Sequence, residues 1–151
     1  MYKFDLEPVL NHRKYVEESI QKELAGIKRL LYDEKKRLNA FKKNMVNLSN
    51  ELRTRKKQTI SSTEILVYHY YFKSLLEDIE KQKIRVHDVR NKLIKKRKDL
   101  IEAMKKRKTL EKLDEHQFEK YKKNLEQKEQ EFLNEIGMNR YNRKKYTSIM
   151  T

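Results

Sequence analysis

The stretch from Glu64 to Ile136 reads EILVYHYYFKSLLEDIEKQKIRVHDVRNKLIKKRKDLIEAMKKRKTLEKLDEHQFEKYKKNLEQKEQEFLNEI. It contains neither proline nor glycine, the two residue types that interrupt helices. One helix of this extent would be roughly 110 Å long at 1.5 Å per residue, so it needs a second helix to cover its apolar side. The residues that mark this side follow the coiled-coil repeat of three and four, and are Phe72, Leu75, Ile79, Val86, Val89, Leu93, Leu100, Ala103, Phe118, Tyr121, Leu125, Phe132 and Ile136.

The composition also indicates long helices. Of 151 residues, 36% are apolar and 40% are charged, which is too polar for an ordinary globular core. Alanine, leucine, glutamate, lysine and arginine together make up about half of the chain, as in coiled coils. Two glycines and one proline leave few residues for turns, so β-sheets are close to excluded and the expected fold class is all-α.

A second seam of the same kind lies in the N-terminal part of the chain. Asp5 can cap a helix whose first turn holds Glu7 and Pro8, because acidic groups suit the positive end of a helix and proline is tolerated there. We therefore expect a helix over residues 5–57. Its seam advances by alternating steps of four and three, through Ile20, Leu24, Ile27, Leu31, Glu34, Leu38, Phe41, Met45, Leu48 and Leu52.

The two seams are separated by a short polar stretch. Residues 58–63 carry β-branched and hydroxyl side chains in place of helix formers, which predicts a connection. Ser61 and Glu64 have the spacing of a capping box, which predicts that a second helix covers residues 64–136. Two long amphipathic helices with one short connection predict a long antiparallel two-helix coiled-coil hairpin, a single domain over residues 1–137.

The two predicted helices differ in length, and this leaves two alternatives. Either part of the second helix overhangs the first, or residues 63–77 form a short separate helix that folds over the tip, the end of the hairpin that holds the connection. We favour the separate helix. At the other end, Gly137 is expected to terminate the second helix as a C-cap glycine, which leaves residues 138–151 as a basic flexible tail.

Residues 64–76, which we name the apolar segment, are apolar or aromatic around the whole helix circumference. A two-stranded seam buries only one stripe of such a helix. The excess side chains either form a small local core at the tip or remain exposed as a docking surface, which is the usual meaning of a contiguous apolar patch on a protein surface. The side chains concerned are Ile65, Leu66, Val67, Tyr68, Tyr70, Tyr71, Phe72, Leu75 and Leu76.

The positive charge is concentrated in one part of the chain. The formal net charge is +15, and residues 81–110, which we name the basic band, carry 13 Lys and Arg against 3 acidic residues. Residues 111–135 have the opposite sign, with a net charge of −3. The band is either a solvated face or a surface for an acidic partner, and charge alone does not choose among nucleic acid, anionic lipid and acidic protein.

No residue pattern in the sequence indicates catalysis. Cysteine is absent, and the four histidines, at positions 12, 69, 87 and 116, lack the spacing of metal ligands. We also find no glycine-rich phosphate loop and no nucleophile elbow. We therefore expect a protein that is not an enzyme and has no catalytic, cofactor or metal site. Without a signal peptide or a membrane span, its expected location is cytoplasmic.

Three patterns occur in order over nearly the whole chain: Phe4-x-Leu6-x-Pro8-Val9-Leu10-x-x-Arg13-x-x-x-Glu17-Glu18 with Gln21-x-x-Leu24-Ala25, Leu100-x-x-Ala103-x-x-x-Arg107-x-x-Leu110-Glu111-x-Leu113, and Glu129-x-x-Phe132-Leu133-x-Glu135. In order and spacing they resemble the FliJ family of flagellar export proteins. The resemblance implies a component of the flagellar type III export apparatus, peripheral at the cytoplasmic face of the inner membrane. It implies three partners and no small-molecule substrate: a hexameric export ATPase, entered in the manner of a stalk, the export gate membrane protein, and export chaperones.

The same resemblance implies which residues bind partners. Family positions that bind the export gate fall here on Phe72, Leu76, Ile79 and Lys83, although Ile79 and Lys83 replace a small residue and a histidine. The end of the hairpin opposite the tip, residues 5–35 with 107–136, would enter the ATPase ring. Two other hypotheses compete with this one. A nucleic-acid-binding coiled coil would use the basic band, although groove-reading basic arms extend beyond a zipper, and a structural spacer would leave the apolar segment unexplained.

Overall fold

The computed structural model describes residues 1–150 and contains two helices. Helix α1 runs over Glu7–Lys56 and helix α2 over Ser62–Met150, with residues 57–61 between them. Residues 1–150 include no β-strand. The predicted all-α fold, a two-helix coiled-coil hairpin, is confirmed.

Tertiary contacts group the chain into two units. The first, which we name the central unit, is Val16–Ala103, and it contains the connection and parts of both helices. The second, which we name the terminal unit, consists of Met1–Tyr15 with the chain from Met104 onward. The single domain expected over residues 1–137 stays a prediction.

The core of the central unit is the predicted seam. All ten α1 seam positions from Ile20 to Leu52 are buried or half-buried, which confirms their three-and-four spacing. Residues near the middle of α1 pack against residues 86–93 of α2, as an antiparallel arrangement requires. The buried cluster consists of Leu24, Leu31, Val86, Val89 and Leu93, with Ile27, Leu38 and Leu100 packed against it.

The central unit has two buried polar residues, Glu17 and Gln82, and Gln82 lies in this seam. Gln82 is only 3% exposed, and its Nε2 donates hydrogen bonds to the backbone oxygen of Glu34, at 3.0 Å, and to the Glu34 carboxylate. A buried amide without partners would destabilise the fold, so these bonds favour the one register that places Gln82 opposite Glu34.

The connection is fixed by hydrogen bonds at both of its ends. Ser61 Oγ accepts a hydrogen bond from the backbone N–H of Glu64 at 3.2 Å, which confirms Ser61 as the N-cap of α2. The Glu64 carboxylate does not complete a capping box but pairs with Arg55 at 2.8 Å. Tyr68 donates a hydrogen bond to Glu51 at 3.1 Å. Side chains near the end of α1 therefore hold the first turns of α2.

In the terminal unit, a tyrosine joins the N-terminus to α2. The hydroxyl of Tyr2 donates to the Asp114 carboxylate at 2.5 Å and lies 3.1 Å from the Asp114 backbone oxygen. Its ring packs against Phe118 and Tyr121, with centroid distances of 5.2 and 5.6 Å. Among the described residues after Tyr121, Ile136 is half-buried and the others are exposed. The last part of α2 therefore extends beyond the residues that pack against it. This is the overhang that one of the two sequence-based alternatives required.

Two predicted helix boundaries are wrong. Residues 63–77 do not form a separate helix but belong to α2, because no proline or glycine lies between Ser62 and Ile136 to interrupt its hydrogen bonding. Gly137 does not terminate α2, which continues to Met150. A C-cap glycine adopts a positive φ, and Gly137 does not. One glycine among helix-forming residues costs about 1 kcal/mol, too little to end a helix alone. Flexibility of residues 138–151 stays a prediction.

The environment of Tyr2 predicts an effect at alkaline pH. Burial, and then its hydrogen bond to Asp114, raise the pKa of Tyr2 from 10.0 to about 12. Because the folded-state pKa lies above the unfolded value, this stabilisation is complete below pH 10 and is lost as the pH rises through 12. In an absorbance titration of tyrosinate, we expect an ionisation step near pH 12, and Tyr2→Phe to remove this step. Complete ionisation of the wild-type protein well below that pH would contradict the hydrogen-bonded geometry.

Candidate partner-binding site

The apolar segment does not form a local core. Leu75 is buried and faces α1, while Tyr68 and Phe72 are half-buried. The other large apolar side chains of the segment are between 45% and 64% exposed, which excludes the small core at the tip and leaves an exposed apolar surface on α2. These side chains are Ile65, Leu66, Val67, Tyr70, Tyr71 and Leu76.

The four residues expected to bind the export gate differ in exposure. Leu76 is 55% exposed and Lys83 is exposed, whereas Phe72 is half-buried. Ile79 is only 7% exposed and lies in the seam between Leu75 and Gln82. At 100° per residue, Phe72, Leu76 and Lys83 share one flank of the seam. Ile79 therefore supports this surface from inside the helix pair.

Beside Leu76 lies a shallow groove that the sequence analysis did not identify. It has a volume of about 480 Å³ and its walls combine Leu76 and Ile84 with the charged residues Lys73, Glu77, Glu80 and Lys81. Ile84 is 61% exposed. Ile84 was not selected from the sequence because it belongs to neither seam. The spacing Leu76-x₇-Ile84, two helical turns, was the signal that could have placed the two side chains side by side.

The charges around this groove are mixed. The ammonium group of Lys83 pairs with Glu80 at 3.3 Å across one helical turn, and both side chains are largely exposed. Such an exposed pair contributes little to stability and is readily replaced by other partners. The surface near Leu76 thus has an apolar centre with an exchangeable charged rim, an arrangement typical of protein interfaces.

Contacts at the tip hold the apolar segment in place. The hydrogen bond and charge of Glu64 raise the pKa of Arg55. Burial, and then its hydrogen bond to Glu51, raise the pKa of Tyr68. Arginine and tyrosine are protonated at neutral pH without any shift, so both contacts persist there. They join the end of α1 to the first turns of α2, so a partner would meet a surface held by these contacts, which reduces the entropy lost on binding.

Most of the basic band is exposed. Lys96 pairs with Glu23, and this hydrogen bond raises the pKa of Lys96. In the terminal unit, Arg107 pairs with Glu111 at 2.8 Å. The other cations of the two clusters at 95–98 and 105–108 are exposed. The band is a solvated surface in this structure, and a role in binding stays a hypothesis.

The described residues contain no group of three or more His, Cys, Asp or Glu side chains placed to hold a metal ion. Neither of the two helices, over the residues described, is apolar enough along a sufficient length to cross a membrane.

Comparison with known proteins identifies the family. The family model described as flagellar FliJ protein matches residues 2–146, most of the chain. No curated protein matches this chain. A solved structure from Chlamydia trachomatis, described as a YscO homolog named CT670, is 23% identical with a TM-score of 0.49, over 91% of this chain and 94% of that one. From the family match, the chain belongs to the flagellar FliJ proteins, which are components of the type III protein export apparatus.

Proposed function

We propose that this protein is a stalk-like coupling component of the flagellar export apparatus, which engages the hexameric export ATPase with one part of its coiled coil and the export gate with another. The family match over residues 2–146 carries this proposal. The exposed apolar segment supports it, because a purely structural spacer needs no such surface. The protein would act in the cytoplasm, at the inner face of the inner membrane.

The export gate would dock on the flank of α2 formed by Phe72, Leu76 and Lys83. Leu76 offers an exposed apolar anchor and Phe72 a half-buried one, while Lys83 can exchange its Glu80 pair for an acidic group of the gate. Ile79 is buried, so its role would be to hold Leu76 and Phe72 in place without contact to the gate. Export chaperones would use the remaining exposed part of the apolar segment.

The export ATPase would receive residues 5–35 with 107–136. The stretch 111–135 has 5 basic and 8 acidic residues, and most of its side chains are exposed. A mixed charged surface suits a polar pore, where contacts are long-range and partly screened by salt. Binding to the ATPase should therefore be low in affinity and should fall as the salt concentration rises.

A truncation tests which part of the chain stimulates the ATPase. A chain that ends at Lys123 loses the last part of α2, which is almost entirely exposed, but keeps Asp114, Phe118 and Tyr121, which contact Tyr2. We expect this chain to remain folded and to lose most of its stimulation of ATP hydrolysis, measured as phosphate release. A tip variant with Phe72→Ala and Leu76→Ala is the matched control and should stimulate normally. If stimulation were lost only in the tip variant, the tip and not the terminal end of the hairpin would be the part that engages the ATPase.

The basic band supports a second candidate function, binding to nucleic acid. A net charge of +10 over residues 81–110 could neutralise several phosphates, and most of its cations are exposed. Titration with duplex DNA at increasing salt separates the two functions. Tight binding at physiological salt, with a steep linear decrease of log affinity against log salt, would favour nucleic acid over the export role.

A further inference from the structure

The last part of α2, residues 138–150, is an amphipathic helix with two faces of different chemistry. Successive residues of a helix are 100° apart, so four apolar or aromatic side chains fall within an arc of roughly 140°. They are Met138, Tyr141, Tyr146 and Ile149. Arg140, Arg143 and Lys144 fall within roughly 100° on the opposite side. Asn142 and Lys145 also lie in the apolar arc, where the long stem of Lys145 can bend toward a polar boundary.

Neither face is covered by the described chain. Met138, Tyr141, Tyr146 and Ile149 are between 67% and 72% exposed. The charge also changes sign here: residues 111–135 have a net charge of −3, whereas residues 136–150 carry four basic residues and no acidic one. The apolar arc thus belongs to a helix segment whose only charges are positive.

Gly137 opens a notch in the helix surface just before this segment. A Cβ atom at this position would meet no atom within 4 Å. On one side of the notch lies a shallow depression of about 610 Å³, with Leu133, Met138 and Tyr141 in its wall together with Asn134 and Asn142. On the other side lies a depression of about 510 Å³ with Arg140, Arg143 and Lys144. Tyr141 borders both depressions, so apolar and cationic surfaces meet at this tyrosine.

We propose that residues 138–150 bind the surface of an anionic lipid bilayer, with the apolar arc at the boundary between headgroups and acyl chains. Arg140, Arg143 and Lys144 would contact lipid phosphates. Tyrosine is enriched at membrane interfaces because its ring is apolar and its hydroxyl is polar. A helix with one basic face and one aromatic or aliphatic face is the form of interfacial anchors. Nucleic acid would satisfy the basic face alone and leave the apolar arc in water.

Sedimentation of the full chain with vesicles tests this proposal, using phosphatidylcholine alone and phosphatidylcholine with one quarter phosphatidylglycerol. We expect binding to the anionic vesicles only. Replacing Tyr141, Tyr146 and Ile149 by serine leaves the charge unchanged and should lower the partition coefficient about tenfold or more, since each buried apolar side chain contributes to interfacial binding. Equal binding of this variant and wild type would overturn the proposal, because the apolar arc would then have no role.

A pair of charge variants separates this site from general attraction to a cationic protein. Replacing Arg140, Arg143, Lys144 and Lys145 by glutamine should reduce binding at least tenfold, because each basic residue near an anionic surface contributes roughly fivefold. The matched control replaces four exposed cations of the basic band, Lys95, Arg97, Lys98 and Lys105. It should change binding less than about twofold, because these residues lie outside the segment proposed to contact the bilayer and the attraction falls off within a Debye length. Equal losses in both variants would mean attraction by net charge alone and would overturn the proposal.

A fluorescence measurement tests whether residues 138–150 enter the bilayer interface. The chain has no tryptophan, so one introduced indole is a unique reporter. Tyr141 and Tyr32 are both 67% exposed, and they give a matched pair of variants, Tyr141→Trp and Tyr32→Trp. Anionic vesicles should shift the emission of the first to shorter wavelength and leave the second unchanged. Unshifted emission from Tyr141→Trp, with vesicles bound, would overturn the placement of this helix in the interface.

Discussion

Leu93→Ala is expected to lower the free energy of unfolding by about 2–3 kcal/mol, the lower part of the range for buried leucines. Leu93 is 6% exposed and belongs to the buried cluster with Leu24, Leu31, Val86 and Val89. A two-helix seam is thin, so water can fill part of the space left by the missing atoms. The loss of stability is therefore smaller than in a deep core. Urea unfolding followed by circular dichroism measures the free energy of unfolding of both proteins.

The neighbouring residue provides the control for this experiment. Ile94 has a similar volume but is 47% exposed, on the flank of the same helical turn. Ile94→Ala should cost less than about 1 kcal/mol, because the isoleucine buries less surface and alanine is the better helix former. If both variants were destabilised equally, residue 93 would not be at the centre of the seam, and the helix pairing described above would be wrong.

The paired part of the fold was predictable because heptad spacing is a direct consequence of helix geometry. Every α1 position from Ile20 to Leu52 chosen by steps of three and four is buried or half-buried. In α2 the same rule correctly placed Leu75, Ile79, Val86, Val89, Leu93 and Ala103 in the seam. The pattern skipped Gln82, since a search for apolar residues passes over a buried amide. Its partner, Glu34, had already been placed in the α1 seam.

The unpaired part of the fold was less predictable, because periodicity shows which side of a helix is apolar but not whether another helix covers it. The α2 pattern continues through Leu125 and Phe132, yet these residues are 46% and 62% exposed. The described contacts of Tyr2 reach Tyr121, so later positions lack an α1 residue opposite them. Gly137 was misinterpreted for a related reason. A glycine signals a helix end only when the chain turns there, and here nothing packs nearby to require a turn.

The candidate site was predictable in position but not in detail. An excess of apolar residues over the available seam left two alternatives for residues 64–76, a local core or an exposed surface, and the structure has the exposed surface. Which residues project from it depends on the angle of each residue around the helix relative to α1. That angle places Ile79 in the seam and Ile84 on the outside, beside Leu76. Positions carried over from the family resemblance do not show which side chains lie in the seam and which lie on the outside.

Replacing Phe72 and Leu76 together by alanine should weaken binding to the export gate by about 2 kcal/mol or more, roughly a 30-fold increase in Kd. Both side chains lie four residues apart on one flank of α2, and Leu76 is 55% exposed. If they anchor the gate, their truncation removes the apolar centre of the interface. Stability should fall much less, because Leu75 and Ile79 remain in the seam on either side. Titration with the purified cytoplasmic domain of the gate measures the affinity, and thermal unfolding measures the stability.

Ile79→Ala should show the reverse pattern and completes the test. Ile79 is 7% exposed, so its truncation should cost about 2 kcal/mol or more of stability, while gate affinity of the folded fraction changes little. Opposite results for two sites three residues apart can arise only if one faces the partner and the other faces α1. If the Phe72 and Leu76 variant instead melts many degrees lower and its folded fraction binds normally, these residues belong to the core, and the gate binds another surface of the chain.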